Sequence, residues 1–322
     1  MAALRTRRFG VGEWYAVGAA AAFATTSILT RIAAVQADPL AGTVIRQLPL
    51  TLFSLGMMAR RRKGVARVFA WRAGSVGRRS LGLLALFALV VLPLSQLWLF
   101  LAFRYGGLLV ASPFFSISPL FAALIAVPLL GEIFSRRLGA GLITAVLGAA
   151  LLTYGEHTGI PFSPQWPLGA LYGLLTALMF GVGANLTGYL LRRGLDIYTL
   201  LGITSVSVVL MFTLLLAVSG RLSEFSAIPT TALWALLLSG MSQGLARYFF
   251  SKSLALTTVA SANAIKAAEV VLGSVIAILL LGEVINLPIG LGIALIIGGV
   301  IMVQLAKGPS SARRPVQKDA VA

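Results

Sequence analysis

A lysine and a glutamate of opposite charge stand three positions apart in an otherwise apolar stretch. They are Lys266 and Glu269, in SANAIKAAEVVLGSVIAILLLGE, residues 261–283. If the apolar run begins near residue 257, a rise of about 1.5 Å per residue places Glu269 about 18 Å along it. A charge near mid-membrane costs roughly 2.5 to 3.5 kcal/mol, so it usually faces a cavity and serves function. The pair therefore either handles a substrate or a proton, or neutralises itself as a structural i, i+3 pair.

Three arginines also fall within apolar runs. Arg46 lies about 9 Å below the predicted outer end of its run by the same rise. Its guanidinium either enters a cavity or extends back to water. Arg31 and Arg247 lie closer to the ends of their runs, so extension toward water is the expectation for both.

Neutral amides interrupt three other runs, at Gln96, Asn185 and Gln243. Such side chains either bond to a neighbouring helix or its backbone, or line a polar path. The candidate residues for substrate or proton handling are Glu269, Lys266, Arg46, Asn185, Gln96 and Gln243.

The sequence gives little support for a catalytic site. The chain has no cysteine and a single histidine, His157, so a metal site of the usual kind or a Ser-His triad lacks its partners. We therefore expect no enzymatic activity, no cofactor and no metal.

The composition indicates that lipid is the main solvent. The 322 residues are 58% hydrophobic and 11% charged, with a mean hydropathy of +0.95, whereas soluble domains have about 25% charged residues. The net charge of +17 falls in short clusters between apolar runs rather than on one patch, so no nucleic-acid partner is expected.

Ten apolar runs are long enough, or nearly so, for membrane helices. They predict an all-α polytopic membrane protein. The runs are residues 13–35, 40–58, 81–103, 108–130, 138–154, 167–191, 197–218, 231–250, 257–281 and 287–305.

The basic residues orient these spans. Of the 26 Lys and Arg residues, twenty fall in segments that are cytoplasmic if the N-terminus is inside, and only Arg104 and Arg221 fall in outer loops. Cytoplasmic loops retain such charge, so we expect a plasma-membrane protein with both termini cytoplasmic. The basic segment 60–79 would lie near anionic lipid headgroups.

The chain also contains an internal duplication. Residues 129–152 align without a gap with residues 280–303, an offset of 151, and share a Leu-Leu-Gly-Glu turn. Five spans per copy predict a 5+5 inverted repeat. The expected segments are an N-terminal tail (1–12), a first repeat (13–154), an external linker (155–166), a second repeat (167–305) and a C-terminal tail (306–322).

These modules carry a family resemblance. ASPFFSISPLFAALIAVPLLGE (111–132) and AAEVVLGSVIAILLLGE (267–283) resemble the paired signature helices of the drug/metabolite transporter superfamily, specifically its EamA-type ten-helix members. The second copy departs at Val270, where proline is usual. The resemblance implies a carrier with a central cavity and alternating access, often an exporter of amino acids or other small metabolites. Proton coupling at Glu269, an ion-independent facilitator and a lipid-handling membrane protein all stay open.

Glycine and proline predict where helices pack closely or bend. Gly240 and Gly244, four apart, favour close helix approach, and Pro93, Pro113 and Pro119 are expected to kink spans. A further set of glycines is expected to mark packing seams or a dimer face, which leaves a homodimer open. These are Gly141, Gly148, Gly292 and Gly299.

Overall fold

The computed structural model describes residues 10–34, 36–60, 77–115, 117–131, 134–156, 164–266, 268–269, 271–272 and 287–305. This part of the chain is helical, contains no strand, and forms ten helices. They are α1 (Val11–Ala34), α2 (Pro39–Arg60), α3 (Gly77–Leu86, a π-helical segment Phe87–Val91, and Leu92–Phe115), α4 (Ser118–Leu130), α5 (Arg136–Glu156), α6 (Trp166–Arg192), α7 (Ile197–Val218), α8 (Thr230–Leu256), α9 (Val259–Lys266) and α10 (Leu287–Leu305). Residues 268–269 and 271–272 are also helical.

Four of the described helices are long and apolar enough to cross a membrane. The segments are Pro39–Arg60, Ser80–Ala102, Trp166–Arg192 and Ile197–Val218. Two shorter apolar helices are Ser118–Leu130 and Gly290–Val303. The prediction of an all-helical membrane protein is confirmed.

The predicted boundary between the third and fourth spans was wrong. A loop was expected between residues 103 and 108, but α3 continues to Phe115 and the next helix begins at Ser118. Pro119 lies in the first turn of α4, where a missing N–H costs no helical hydrogen bond. It therefore starts a helix instead of kinking one.

Pro93 explains the π-helical segment in α3. Proline cannot donate a backbone hydrogen bond, and its ring collides with the carbonyl four residues earlier. Just before it, the Leu92 N–H bonds to the Phe87 carbonyl, five residues back. The extra residue in this turn makes space for the proline ring. It also rotates the following turn about the helix axis, and so changes the direction in which side chains such as Gln96 project.

The halves of the chain are interleaved. In the described part, the most extensive helix contacts pair α5 with α10, α3 with α6, α1 with α8, and α2 with α7, and each joins one half to the other. In a five-helix repeat, the first helix corresponds to the sixth and the third to the eighth. The symmetry of the repeat then makes the α1–α8 contact equivalent to the α6–α3 contact. A duplicated five-helix unit gives this pattern, and the opposite membrane orientation of the two copies stays a prediction.

Glycines join α5 to α10. A Cβ added at Gly141 would lie 2.8 Å from the Gly299 carbonyl oxygen, and one at Gly299 would lie 2.5 Å from the Gly141 oxygen. A Cβ at Gly148 would lie 2.8 Å from the Gly292 oxygen. The predicted packing seam is therefore confirmed, and it lies within one chain.

A left-handed glycine ends α4. Gly131 has φ 68° and caps the helix with its N–H directed to Ala126 and Val127 carbonyls, a backbone state that residues with a Cβ adopt at a cost. The glycine of the first Gly-Glu turn thus has a structural role. Glu132 and the second turn, Gly282 and Glu283, lie outside the described residues.

Polar contacts mark the two ends of the bundle. At one, here called the Asp38 end, Arg221 pairs with Asp38 at 2.6 Å and with Glu224 at 3.3 Å. Asp38, followed by Glu224, raises the pKa of Arg221 above its usual value. At the opposite end, here called the Arg192 end, Arg192 donates to the Thr257 carbonyl at 3.2 Å. The Asp38 end is the one that the charge distribution predicts to face outward.

Candidate functional site

Lys266, the last residue of α9, forms an ion pair with Glu269. Their Nζ and Oε1 atoms are 3.0 Å apart, and the side chains are 19% and 15% exposed. The Lys266 Nζ also lies 4.6 Å from the centre of the Phe23 ring on α1. The predicted i, i+3 pair thus exists, and an aromatic face holds its cation against a neighbouring helix.

Only half of the Glu269 carboxylate has a partner. Oε1 accepts from Lys266, whereas Oε2 is buried without a hydrogen bond in the described part of the chain. A buried acceptor without a donor is costly. The cost falls if this oxygen takes up a proton or if a donor of a bound solute reaches it.

Arg46 is the centre of a second polar group, here called the Arg46 cluster. It is only 2% exposed. Its Nη2 donates to Gln96 Oε1 at 2.6 Å and its Nη1 to Thr30 Oγ1 at 3.4 Å. The guanidinium lies 5.4 Å from the centre of the Phe100 ring. Arg46 therefore points into the bundle and does not extend to water.

Hydrogen bonds connect this cluster to α8. The hydroxyls of Thr30 and Ser239 are 2.7 Å apart, and Ser239 Oγ donates to the Thr26 carbonyl at 3.3 Å. The residue after Ser239, Gly240, packs on the Arg46 backbone, where a Cβ would collide with the Arg46 carbonyl oxygen. Helices α1, α2, α3 and α8 thus all position the guanidinium.

The ion pair and the Arg46 cluster contact the same face of α1. Lys266 meets Phe23, and Arg46 meets Thr30, seven residues later. Seven residues are nearly two turns, so the two contact points lie about 10 Å apart along one side of the helix. The two groups are therefore neighbours in the fold, although 220 residues separate Arg46 from Lys266 in sequence.

Asn185 belongs to a different environment. Its Nδ2 donates to the carbonyls of Ala122 and Gly181 at 2.8 and 2.9 Å. A Cβ at Gly181 would lie 2.9 Å from the Ala122 backbone nitrogen. The amide therefore joins α6 to α4 where the backbones approach closely. No described hydrogen bond connects Asn185 to the ion pair or to the Arg46 cluster.

Gln243 lies on the side of α8 that faces α2. It is 7% exposed, and its Oε1 is buried without a partner in the described part of the chain. Gly240 and Gly244, on either side of it, pack against Arg46 and Leu50 of α2. Gln243 is thus held near the Arg46 cluster by helix packing.

The expectation for Arg247 was wrong. Its Nη2 donates to Thr204 of α7 at 3.4 Å, and its Nη1 is buried without a partner in the described part of the chain. The guanidinium therefore lies inside the bundle. The Arg31 side chain lies outside the described residues.

The offset between the two repeats could have identified Arg247 as a residue that points into the bundle. Arg46 and Thr204 are each the eighth residue of a 22-residue helix, α2 and α7. Gln96 and Arg247 are 151 residues apart, the offset of the Gly-Glu modules. In each half, an arginine therefore donates a hydrogen bond between the second and third helices. The arginine is on the second helix in the first half (Arg46) and on the third helix in the second half (Arg247).

The family model of the EamA-like transporter family matches residues 10–154 and 167–305, most of the chain, in two copies. The chain belongs to this family. It is a multi-pass membrane transporter of small solutes, and the residues above are those of an EamA-like transporter.

A likeness among solved structures supports the fold. One structure, titled only as the crystal structure of a protein, has a TM-score of 0.71 and 18% identity, over 90% of this chain and 95% of that chain. At this identity the likeness concerns the fold alone. Comparison with curated proteins gave no match.

The described residues contain no group of side chains suited to bind a metal ion. No three His, Asp or Glu side chains there lie close enough together to hold an ion.

Proposed function

We propose that this EamA-like transporter is a secondary carrier that exports small metabolites such as amino acids by alternating access, with Glu269 exchanging the proton that drives it. The observation that carries the proposal is the half-partnered Glu269 carboxylate. Its side chain lies beside Lys266 and is 15% exposed, and its Oε2 is buried without a described donor.

The geometry supports proton exchange in the following way. With Lys266 in place, the pair is neutral overall and can stay buried. In the proposed cycle a cavity opens to Glu269 from one side at a time, and water in that cavity would solvate the unpartnered Oε2. When the cavity closes, that oxygen needs a proton or a donor from the solute. A proton taken from one side and released on the other is then linked to movement of the solute.

The distribution of basic residues supports a proposal for the orientation of the chain in the membrane. Among described residues, Arg192, Arg193 and Lys252 lie toward the Arg192 end, and Arg221 lies at the Asp38 end. Placement of the Arg192 end in the cytoplasm agrees with the retention of basic residues there. We therefore propose a plasma-membrane carrier with both termini cytoplasmic, and with the basic segment 60–79 near anionic headgroups.

The test is uptake of a panel of amino acids and other small metabolites into liposomes containing the purified protein, with and without a pH gradient. Glu269→Gln keeps the shape of the side chain but removes its titration. We expect this variant to exchange solute for solute at near the wild-type rate while losing accumulation against a gradient. Glu224→Gln, at a partly exposed side chain of the Asp38 end, is the matched control and should retain both activities.

Two outcomes would contradict the proposal. Unchanged gradient-driven accumulation by Glu269→Gln would show that Glu269 does not carry the coupled proton. Wild-type transport that is insensitive to the pH gradient would favour an ion-independent facilitator.

A further inference from the structure

Arg46 has no acidic partner among the residues that the structure describes. Five Asp and Glu side chains are described, and each is engaged elsewhere. Asp38 and Glu224 pair with Arg221, and Glu269 with Lys266. Asp196 caps α7, and Glu13 accepts from Thr257. The partners of Arg46 are instead an amide and a hydroxyl, both neutral, and its Nε has none.

A second arginine, Arg247 of α8, is in a similar state. Arg247 donates to a neutral hydroxyl, and its Nη1 is buried without a described partner. A buried cation without a counter-charge is strongly unfavourable. Because neither cation has a counter-charge among the described residues, each is suited to take an anion as its partner.

The two arginines lie along one side of α8. Gly240 packs on the Arg46 carbonyl, and Arg247 follows Gly240 by seven residues, so it projects from the same face about 10 Å further along. Gln243 lies between them on that face, with its Oε1 unpartnered. Gln243 therefore lies near the contact between α2 and α8, the Arg46 guanidinium extends from that contact toward Thr30 and Gln96, and Arg247 reaches Thr204 of α7 further along α8.

The two arginines lie at different depths in the bundle. Arg46 is about 10 Å from the start of α2 at the Asp38 end, and Arg247 is about 14 Å from the end of α8 at the Arg192 end. An anion could therefore meet Arg247 when the Arg192 end is open and Arg46 when the Asp38 end is open.

We propose that Arg46 and Arg247 bind the carboxylate of the transported solute, each in one half of the bundle, and that the solutes of this transporter are therefore organic acids or amino acids with a free carboxylate. The planar guanidinium matches a carboxylate in two parallel hydrogen bonds, and a carboxylate is a stronger acceptor than the Gln96 amide. This inference rests on the proposed carrier function and assigns its solute class.

Binding of paired probes tests the proposal without any pH gradient. The purified protein is incubated with small acids and their carboxamides, among them L-leucine with L-leucinamide and propionate with propionamide. Thermal stabilisation by each probe is measured over a concentration series. We expect the wild type to bind at least one acid about ten- to a hundredfold more tightly than its amide, the usual range for a charge-assisted hydrogen bond.

Gln96→Glu places a carboxylate of the protein itself beside Arg46. Because it supplies the missing counter-charge, this variant is expected to fold at least as well as the wild type, while losing the acid preference by about tenfold or more. Arg46→Gln should lose the same preference, and Thr204→Asp tests Arg247 in the same manner. Gln36→Glu, at an exposed position, adds the same charge elsewhere and should keep the preference.

Two results would overturn the proposal. One is a wild type that binds no acid of the panel more tightly than its amide. The other is a folded Gln96→Glu variant with the wild-type acid preference. Neither result depends on proton coupling, so failure here and failure of the Glu269→Gln experiment are distinguishable.

Discussion

Gly240 of α8 lies directly on the backbone carbonyl of Arg46 in α2. A Cβ at position 240 would collide with that oxygen and would lie 3.0 Å from Pro49 Cδ. By contrast, a Cβ at Gly244 would meet Leu50 side-chain atoms at 3.5 Å, an ordinary contact. The two glycines share a helix face, but only the first is required by the packing.

Gly240→Ala is therefore expected to separate α2 from α8. Because backbone atoms cannot move aside as a side chain does, we expect a loss of about 1 to 3 kcal/mol in stability, together with weaker binding of solute at Arg46. Gly244→Ala is the matched control and should unfold within a few degrees of the wild type. The measurement is thermal unfolding of both variants in detergent. Equal midpoints would contradict this account of the contact.

The α5–α10 seam predicts a difference between two adjacent glycines. A Cβ at Gly299 would lie 2.6 Å from the Ala145 nitrogen, whereas one at Gly298 would have nothing within 4 Å. Gly299→Ala should lower the unfolding temperature or the yield of folded protein. Gly298→Ala should change neither, and it should even help the helix slightly. If the two variants behave alike, the seam is not close-packed.

Lys266 and Glu269 are expected to be coupled. Replacing either alone, as in Lys266→Met or Glu269→Gln, leaves a buried group without its partner. Loss of one member of a buried pair costs about 3 to 5 kcal/mol, and less for Glu269→Gln, because the amide oxygen can still accept the hydrogen bond from Lys266. The double variant should recover folding but not transport, measured by unfolding temperature and by liposome uptake. A double variant that transports normally would show that the pair is structural.

Topology provides an independent prediction. A reporter fused after residue 70 should be cytoplasmic, and one placed near residue 160 should be external, because the predicted spans put twenty basic residues on one side and two on the other. Labelling of single cysteines at these positions in intact cells gives the same comparison, since the chain has no native cysteine. Reporters on the same side would exclude the inverted repeat.

Local patterns predicted the features that depend on one helix. The spacing of Lys266 and Glu269 placed them on one face, and the pair forms. Glycine spacing identified the close approach at Gly240 and the seam at Gly141 and Gly299. These predictions depend only on the helical period or on the absence of a Cβ in glycine, and both can be read from the sequence.

Features that depend on two helices were harder to predict. Arg46 and Gln96 are 50 residues apart, and their contact at 2.6 Å depends on how α2 and α3 pack. Arg247 was placed by its distance from the end of a span, which does not report the face of the helix from which it projects. The continuation of α3 past residue 103 was missed because a few polar residues do not stop a helix that packs along its length.

The interleaving of the two halves has a consequence for how this protein is made. The largest helix contacts of each half are with the other half, so the first five helices leave the ribosome with their main packing surfaces still uncovered. Until the last helix is inserted, the partial chain must be sheltered by lipid or by the insertion machinery. Helices α6, α7, α8 and α10 each supply one of these contacts, and we expect a truncated product that ends after α5 to be a substrate for quality-control proteolysis.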